Sequence, residues 1–228
     1  MNLFKEIFNE KKYLFPDLKP GDRIYKVIET YIYPDLEKIG FVMSRSSLSL
    51  TRKVGDFKQE IYFAKNKWNN GSEVVSFDPH FSVTSSKYVK WHKNKYGTEP
   101  INDYILGTRA HYIPNWTHEY FEDWWYDLAK DDNYEIVKVL RNNIDKNGLP
   151  YLNALSDKQA VIDFILGQNS YFYKAPMLFD FAYQLNDRIQ AEKILRWFND
   201  YKNSSESNFQ TDTLRDIKIR QEILNNWA

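Results

Sequence analysis

Four side chains in this sequence have the types and the spacing to do chemistry together: Asp78, His80, Arg109 and His111. Asp78 and His80 lie two residues apart, as do Arg109 and His111, and residues two apart on a β-strand project from one face. Two such strands side by side would gather a carboxylate, two imidazoles and a guanidinium. A carboxylate beside an imidazole can serve as general acid and base. A guanidinium fork can hold a carboxylate or a phosphate. Ser47, Ser49, Glu60 and Tyr62 fall on the same predicted face. The plainer reading of this pattern is a solvated sheet face with cross-strand ion pairs. No catalytic residue is assigned. The chain has no Cys, no Gly-x-Ser-x-Gly elbow, no Gly-rich P-loop and no dinucleotide fingerprint.

Other constellations are thinner. His118 and Glu122 are four apart and could share a helix face as metal ligands, with His111 reaching in from the preceding strand. Two or three residues without a defined geometry do not make a metal site, and Glu122 equally suits a helix start. No metal and no cofactor is expected. The stretch Lys87-Tyr88-Val89-Lys90-Trp91-His92-Lys93-Asn94-Lys95-Tyr96 interleaves cations with aromatic rings. That pattern can bind single strands, but Tyr88 and Trp91 at helical spacing serve equally to anchor a short helix while the lysines reach water. Trp68 sits in an Asn-rich loop, where a ring has less chance of burial than on a helix stripe, and it is the candidate anchor for a protein partner.

The elements that must position these residues are legible from periodicity. A helix is expected from about 23 to 38, with Ile24, Val27, Ile28, Tyr31 and Ile32 on one face, a kink or restart at Pro34 and a cap at Gly40. From Phe41 the period becomes two. Leu48 and Leu50 alternate with serines and Thr51, Val54-Gly55-Asp56 reads as a hairpin loop, and Ile61 and Phe63 follow. Val75, Phe77, Phe81 and Val83 oppose Asp78, His80 and Ser82. A fourth strand is expected over 103–113, with Tyr104, Leu106, Ala110 and Tyr112 on its apolar face and Arg109 and His111 on the other.

After Pro114 the pattern is helical. Glu119, Glu122 and Asp123 crowd one helix start. A helix over 131–146 is expected to break at Gly148-Leu149-Pro150, and Ser156-Asp157-Lys158-Gln159 reads as a capping box. Helices follow over 174–186, 188–203 and 212–226, and Lys202–Gln210 is the most loop-like stretch. Strands first and helices later predict an α+β fold. It comprises an antiparallel sheet of about four strands packed with helices, then a helical C-terminal half. The expected regions are 1–118 and 119–228, packed as one compact unit.

Composition sets outer bounds. Of 228 residues, 43% are hydrophobic and 17% aromatic, including 7 Trp, 17 Tyr and 15 Phe. Burying that much aromatic area offsets the entropy of ordering the chain, which excludes a disordered protein. The absence of Cys excludes a disulfide scaffold. Net charge is zero, but residues 1–118 hold 18 basic and 13 acidic side chains and the remainder 13 and 18. That asymmetry is too small for a nucleic-acid footprint. The first residues lack a basic stretch followed by an apolar one, so a cytoplasmic location is expected. No membrane association is expected.

Several short segments resemble the bacterial domain-of-unknown-function 4304 family over about residues 23–155. They are Leu36-Glu37-Lys38-Ile39-Gly40-Phe41, Leu48-Ser49-Leu50-Thr51-Arg52-Lys53, Ile61-Tyr62-Phe63-Ala64-Lys65-Asn66-Lys67-Trp68-Asn69, Phe81-Ser82-Val83, Glu122-Asp123-Trp124-Trp125-Tyr126-Asp127 and Leu149-Pro150-Tyr151-Leu152. The resemblance implies a bacterial α+β domain of uncharacterised activity and carries over no catalytic residue. The leading functional expectation is a non-enzymatic protein-binding module, of the kind that serves as an immunity partner. The alternative is a small-molecule or anion-binding domain, with an enzyme as one form of it, that uses Asp78, His80, Arg109 and His111.

Overall fold

The computed structural model describes residues 11–71, 73–100, 104–117, 124–168, 170–204 and 211–227. It contains an antiparallel sheet in the order β1-β2-β3-β4-β5. The strands are β1 (Val42–Ser44), β2 (Ser49–Val54), β3 (Phe57–Lys65), β4 (Ser76–Thr84) and β5 (Tyr104–Arg109), and a two-residue β6 (Tyr126–Asp127) pairs with the start of β4. The sheet therefore has five strands in line plus β6, where about four were expected. A two-residue turn joins β2 to β3, and Gly55 takes φ +56° there, which a hairpin of this length demands.

Alternation sets the two faces. Leu50, Ile61, Phe63, Phe77, Phe81 and Val83 are buried on the lower face. Each large side chain removed from water contributes about 1.5–3 kcal/mol. Tyr62, His80, Ser82 and Arg109 line the upper face. The helix α3 (Ser86–Tyr96) follows β4; the Ser85 hydroxyl caps it by accepting from the Tyr88 N–H.

Two helices of this unit share one solution to a proline. The chain runs α1 (Pro20–Val27), a wide π turn (Ile28–Ile32) and α2 (Tyr33–Glu37), with Pro34 second in α2. Later it runs α4 (Asn133–Asn143), a wide π turn (Ile144–Gly148) and α5 (Leu149–Asn153), with Pro150 second in α5. Tyr33 N–H donates to the Ile28 carbonyl and Leu149 N–H to the Ile144 carbonyl, each five residues back. A proline in a regular helix clashes with the carbonyl four residues behind it; the wider turn moves that carbonyl aside. Gly148-Leu149-Pro150 therefore resets a helix instead of breaking it. At Gly148 a side chain would collide with the ring of Phe81, so the helix lies hard against the sheet only because that residue is glycine. Arg23 ties the layers together. It is buried, its Nε donates to the Leu14 carbonyl and an Nη donates to the Leu128 carbonyl, both at 2.8 Å.

The chain divides into two compact units, 1–153 and 154–228. The division falls after α5 and not at 118/119, because β6, α4 and α5 belong with the sheet. The second unit holds α6 (Lys158–Gly167), α7 (Ala175–Gln184), α8 (Arg188–Ser204) and α9 (Thr211–Asn225). Asp157, not Ser156, caps α6 by accepting from the Ala160 N–H. Helix α8 continues through Ser204, so its end covers the start of the stretch expected as loop; 205–210 lie outside the described residues. Every residue of α7 from Ala175 to Ala182 is buried, as befits a helix apolar on nearly all sides. Asp180 in its middle is held by Arg220 of α9, whose Nε donates to Oδ1 at 3.0 Å and Nη2 to Oδ2 at 2.6 Å. Among the described residues no helix is long and apolar enough to cross a membrane.

Candidate functional site

The upper face of the sheet carries one continuous row of side chains. The register pairs Tyr62 of β3 with His80 of β4, and His80 with Arg109 of β5. Asp78 lies two residues behind His80 on the same face and is completely buried. Its Oδ2 accepts from Arg109 Nε at 2.7 Å and from His80 Nε2 at 3.0 Å. Because that oxygen acts as an acceptor for both, His80 must carry its proton on Nε2, and its Nδ1 is left for a ligand or solvent. Arg109 spends Nε on the carboxylate, and its terminal nitrogens make no hydrogen bond among the described residues. The side chains of His80 and Arg109 remain 36% and 39% exposed. A carboxylate in the interior thus aims two cation-forming groups outward.

The strand does not continue to His111. β5 ends at Arg109, and Ala110–Tyr112 form a single 3-10 turn. His111 reaches the cluster through that turn. Burial holds its imidazole below the usual histidine range, and the positive charge of Arg109 adds to the effect. Two polar atoms of this cluster are buried with no hydrogen-bond partner among the described residues: Asp78 Oδ1 and His111 Nδ1. Aromatic rings surround the group. His111 packs against Tyr112 with centroids 4.1 Å apart and against Trp124 at 4.7 Å. Tyr62 stands edge-on to His80 at 6.0 Å, and the Arg109 guanidinium lies 5.8 Å from the Trp125 ring centre. On the lower face Tyr126 stacks on Phe77 and accepts from Trp116 Nε1 at 3.1 Å. Burial pushes its hydroxyl up to about 12, so it stays neutral.

All four residues expected at a ligand site are therefore gathered in one place. The expected partition of β5 is corrected at two of its members. Tyr104 and Tyr112 are exposed, not buried on the apolar face. A bulge at Val83/Thr84 shifts the register so that Tyr104 pairs with Thr84, and the 3-10 turn swings Tyr112 out. Tyr112, Trp124 and Trp125 are the members of the site that strand periodicity could not reveal, since none of them lies in a strand. His118 and Glu122 lie outside the described residues, as does the helix start at Glu119, Glu122 and Asp123. Among the described residues no group of three or more His, Asp and Glu side chains could hold a metal ion. In the basic segment Tyr88 is buried and stacks on Trp91, as an anchored helix requires.

Trp68 belongs to a different surface. The β3–β4 connection is stiffened by Asn69, whose side chain accepts from the Ser76 N–H at 2.7 Å and donates to the Ser76 carbonyl at 2.9 Å. The Trp68 N–H donates to Asn66 Oδ1, and its ring stands 70% exposed beneath the amino group of Lys67.

The site has the chemistry to bind an oxyanion, with a guanidinium fork and an imidazole held at fixed angles by one carboxylate. Comparison with protein-family models, with curated proteins and with solved structures finds no match to this chain.

Proposed function

We propose that the first unit binds a small ligand bearing a carboxylate or phosphate across His80 and Arg109. One observation carries this reading: a fully buried carboxylate that holds both groups by a single oxygen and leaves their outer nitrogens open. Burying a charge is costly, and a solvated sheet face with surface ion pairs has no need of it. The arrangement pre-organises Arg109, which lowers the entropy lost when an anion binds. Calorimetric titration with inorganic phosphate and with acetate tests the reading. Binding by the native protein, lost in a folded Arg109→Gln variant, supports it. Absence of binding at millimolar concentration, or equal binding by Arg109→Gln, overturns it.

A second reading rests on Trp68. An exposed indole on a stiffened loop suits the centre of a protein interface, where Trp is a preferred anchor. It accords with a non-enzymatic protein-binding module of the immunity type and with a partner that is another protein. On this reading Trp68→Ala leaves the unfolding midpoint unchanged and removes a stoichiometric partner recovered from the native host. A drop in stability with the partner retained reassigns the ring to packing.

A further inference from the structure

Resting on the anion reading above, we infer that the ligand is nucleotide-like: a planar ring joined to a phosphate, with the phosphate on Arg109 and the ring on Tyr112. The anion-holding groups and the rings occupy adjoining positions. Arg109 and Tyr112 are three residues apart, joined by the single 3-10 turn that begins at Ala110. Tyr112 is 71% exposed, although its ring could have been buried on the apolar side had the strand continued. His111 packs against it with ring centroids 4.1 Å apart and planes tilted by 53°, and Trp124 lies against the same imidazole. Tyr62 closes the far end of the row beside His80. Aromatic platforms of this kind hold bases by their faces without reading their edges. The charged groups specify the other end. Asp78 fixes Arg109 and His80 side by side through one oxygen, and both side chains are more than a third exposed to an incoming phosphate. Arg109 itself matches the geometry of phosphate oxygens with its two terminal nitrogens. The orphaned Oδ1 of Asp78 and Nδ1 of His111 lie behind this surface and mark it as a built site with unused hydrogen-bonding capacity.

Titration calorimetry on the full chain distinguishes the ring from the anion. The probes are inorganic phosphate, ribose 5-phosphate, adenosine 5′-monophosphate and uridine 5′-monophosphate. At least one nucleotide is expected to bind about tenfold more tightly than ribose 5-phosphate. In Tyr112→Leu that advantage disappears while ribose 5-phosphate binds as before. If the sugar phosphate binds and neither nucleotide binds more tightly, the ring assignment falls and the anion site stands. The same holds if the advantage survives Tyr112→Leu. If none of the four binds, the anion site fails and the nucleotide assignment with it.

Discussion

Asp78 and Asp180 are both completely buried carboxylates, each in contact with an arginine, yet they stand in opposite conditions. Asp180, in the helical unit, has both oxygens occupied by a guanidinium that is itself buried. Arg220 Nε shares its hydrogen with the Pro176 carbonyl, and Nη1 donates to the Asp216 carbonyl. That is a closed structural joint between α7 and α9. Asp78, in the sheet unit, puts both its bonds on one oxygen, leaves the other empty and holds partners that are more than a third exposed. Burial alone does not separate a structural charge from a working one. The distinction lies in where the spare bonding capacity points.

Removing the arginine of the closed joint has the largest expected effect. Arg220→Leu strands Asp180 without its partner and should cost about 3–5 kcal/mol, measured by urea unfolding. A loss below about 1 kcal/mol would show that water reaches the pair and would break the contrast. Next comes a check that the sheet unit is not merely tolerant throughout. Gly148→Ala drives a methyl into Phe81 and should cost about 1–3 kcal/mol, read as a lowered thermal midpoint.

The same substitution at both carboxylates then sharpens the comparison. Asp180→Asn turns an amide N–H toward a guanidinium N–H and should cost about 1–3 kcal/mol. Asp78→Asn can keep its oxygen toward Arg109 and His80 and place its amino group on the empty Oδ1 side. It also removes a buried charge, so stability should change by less than about 1 kcal/mol. Equal losses at the two positions would erase the distinction.

The smallest effect is the pH dependence at His111. Its folded form resists protonation because of burial and the nearby Arg109, so the unfolded chain takes up protons first. Stability from this source is present above the unfolded value of 6.5 and is lost as the pH falls below it. Between pH 7.5 and 5.5 the native protein should therefore lose more stability than His111→Phe, which keeps the ring contacts. Parallel pH profiles would remove His111 from the cluster's electrostatics.

Much of this was legible in the residues themselves. Period-two alternation placed Phe77, Phe81 and Val83 opposite Asp78 and His80, because a half-buried antiparallel strand shows its faces directly. What alternation cannot show is register. Arg109 meets Asp78 across 31 positions of sequence, and only the pairing of β4 with β5 brings them together. It also cannot show where a strand stops. Tyr112 continues the alternating pattern, but the chain has already turned, and a bulge has displaced Tyr104 as well. Pro150 predicts a break because a regular helix cannot hold it there, whereas a widened turn can. Asp157 outcompeted Ser156 as a cap by lying one residue nearer the helix. Trp124 and Trp125 enter the site from a segment with no periodicity at all.

The widened turns before Pro34 and Pro150 have a consequence for how these helices can vary in length. The extra residue and the proline form a matched pair. Deleting one residue from 28–32 or from 144–148 while keeping the proline would press its ring onto the carbonyl behind it, at about 3 kcal/mol or more. Deleting the residue and replacing the proline together would restore an ordinary helix with the downstream segment close to its present orientation, because the wide turn had absorbed the extra residue. Divergent versions of this chain should gain or lose the two features in company, never singly.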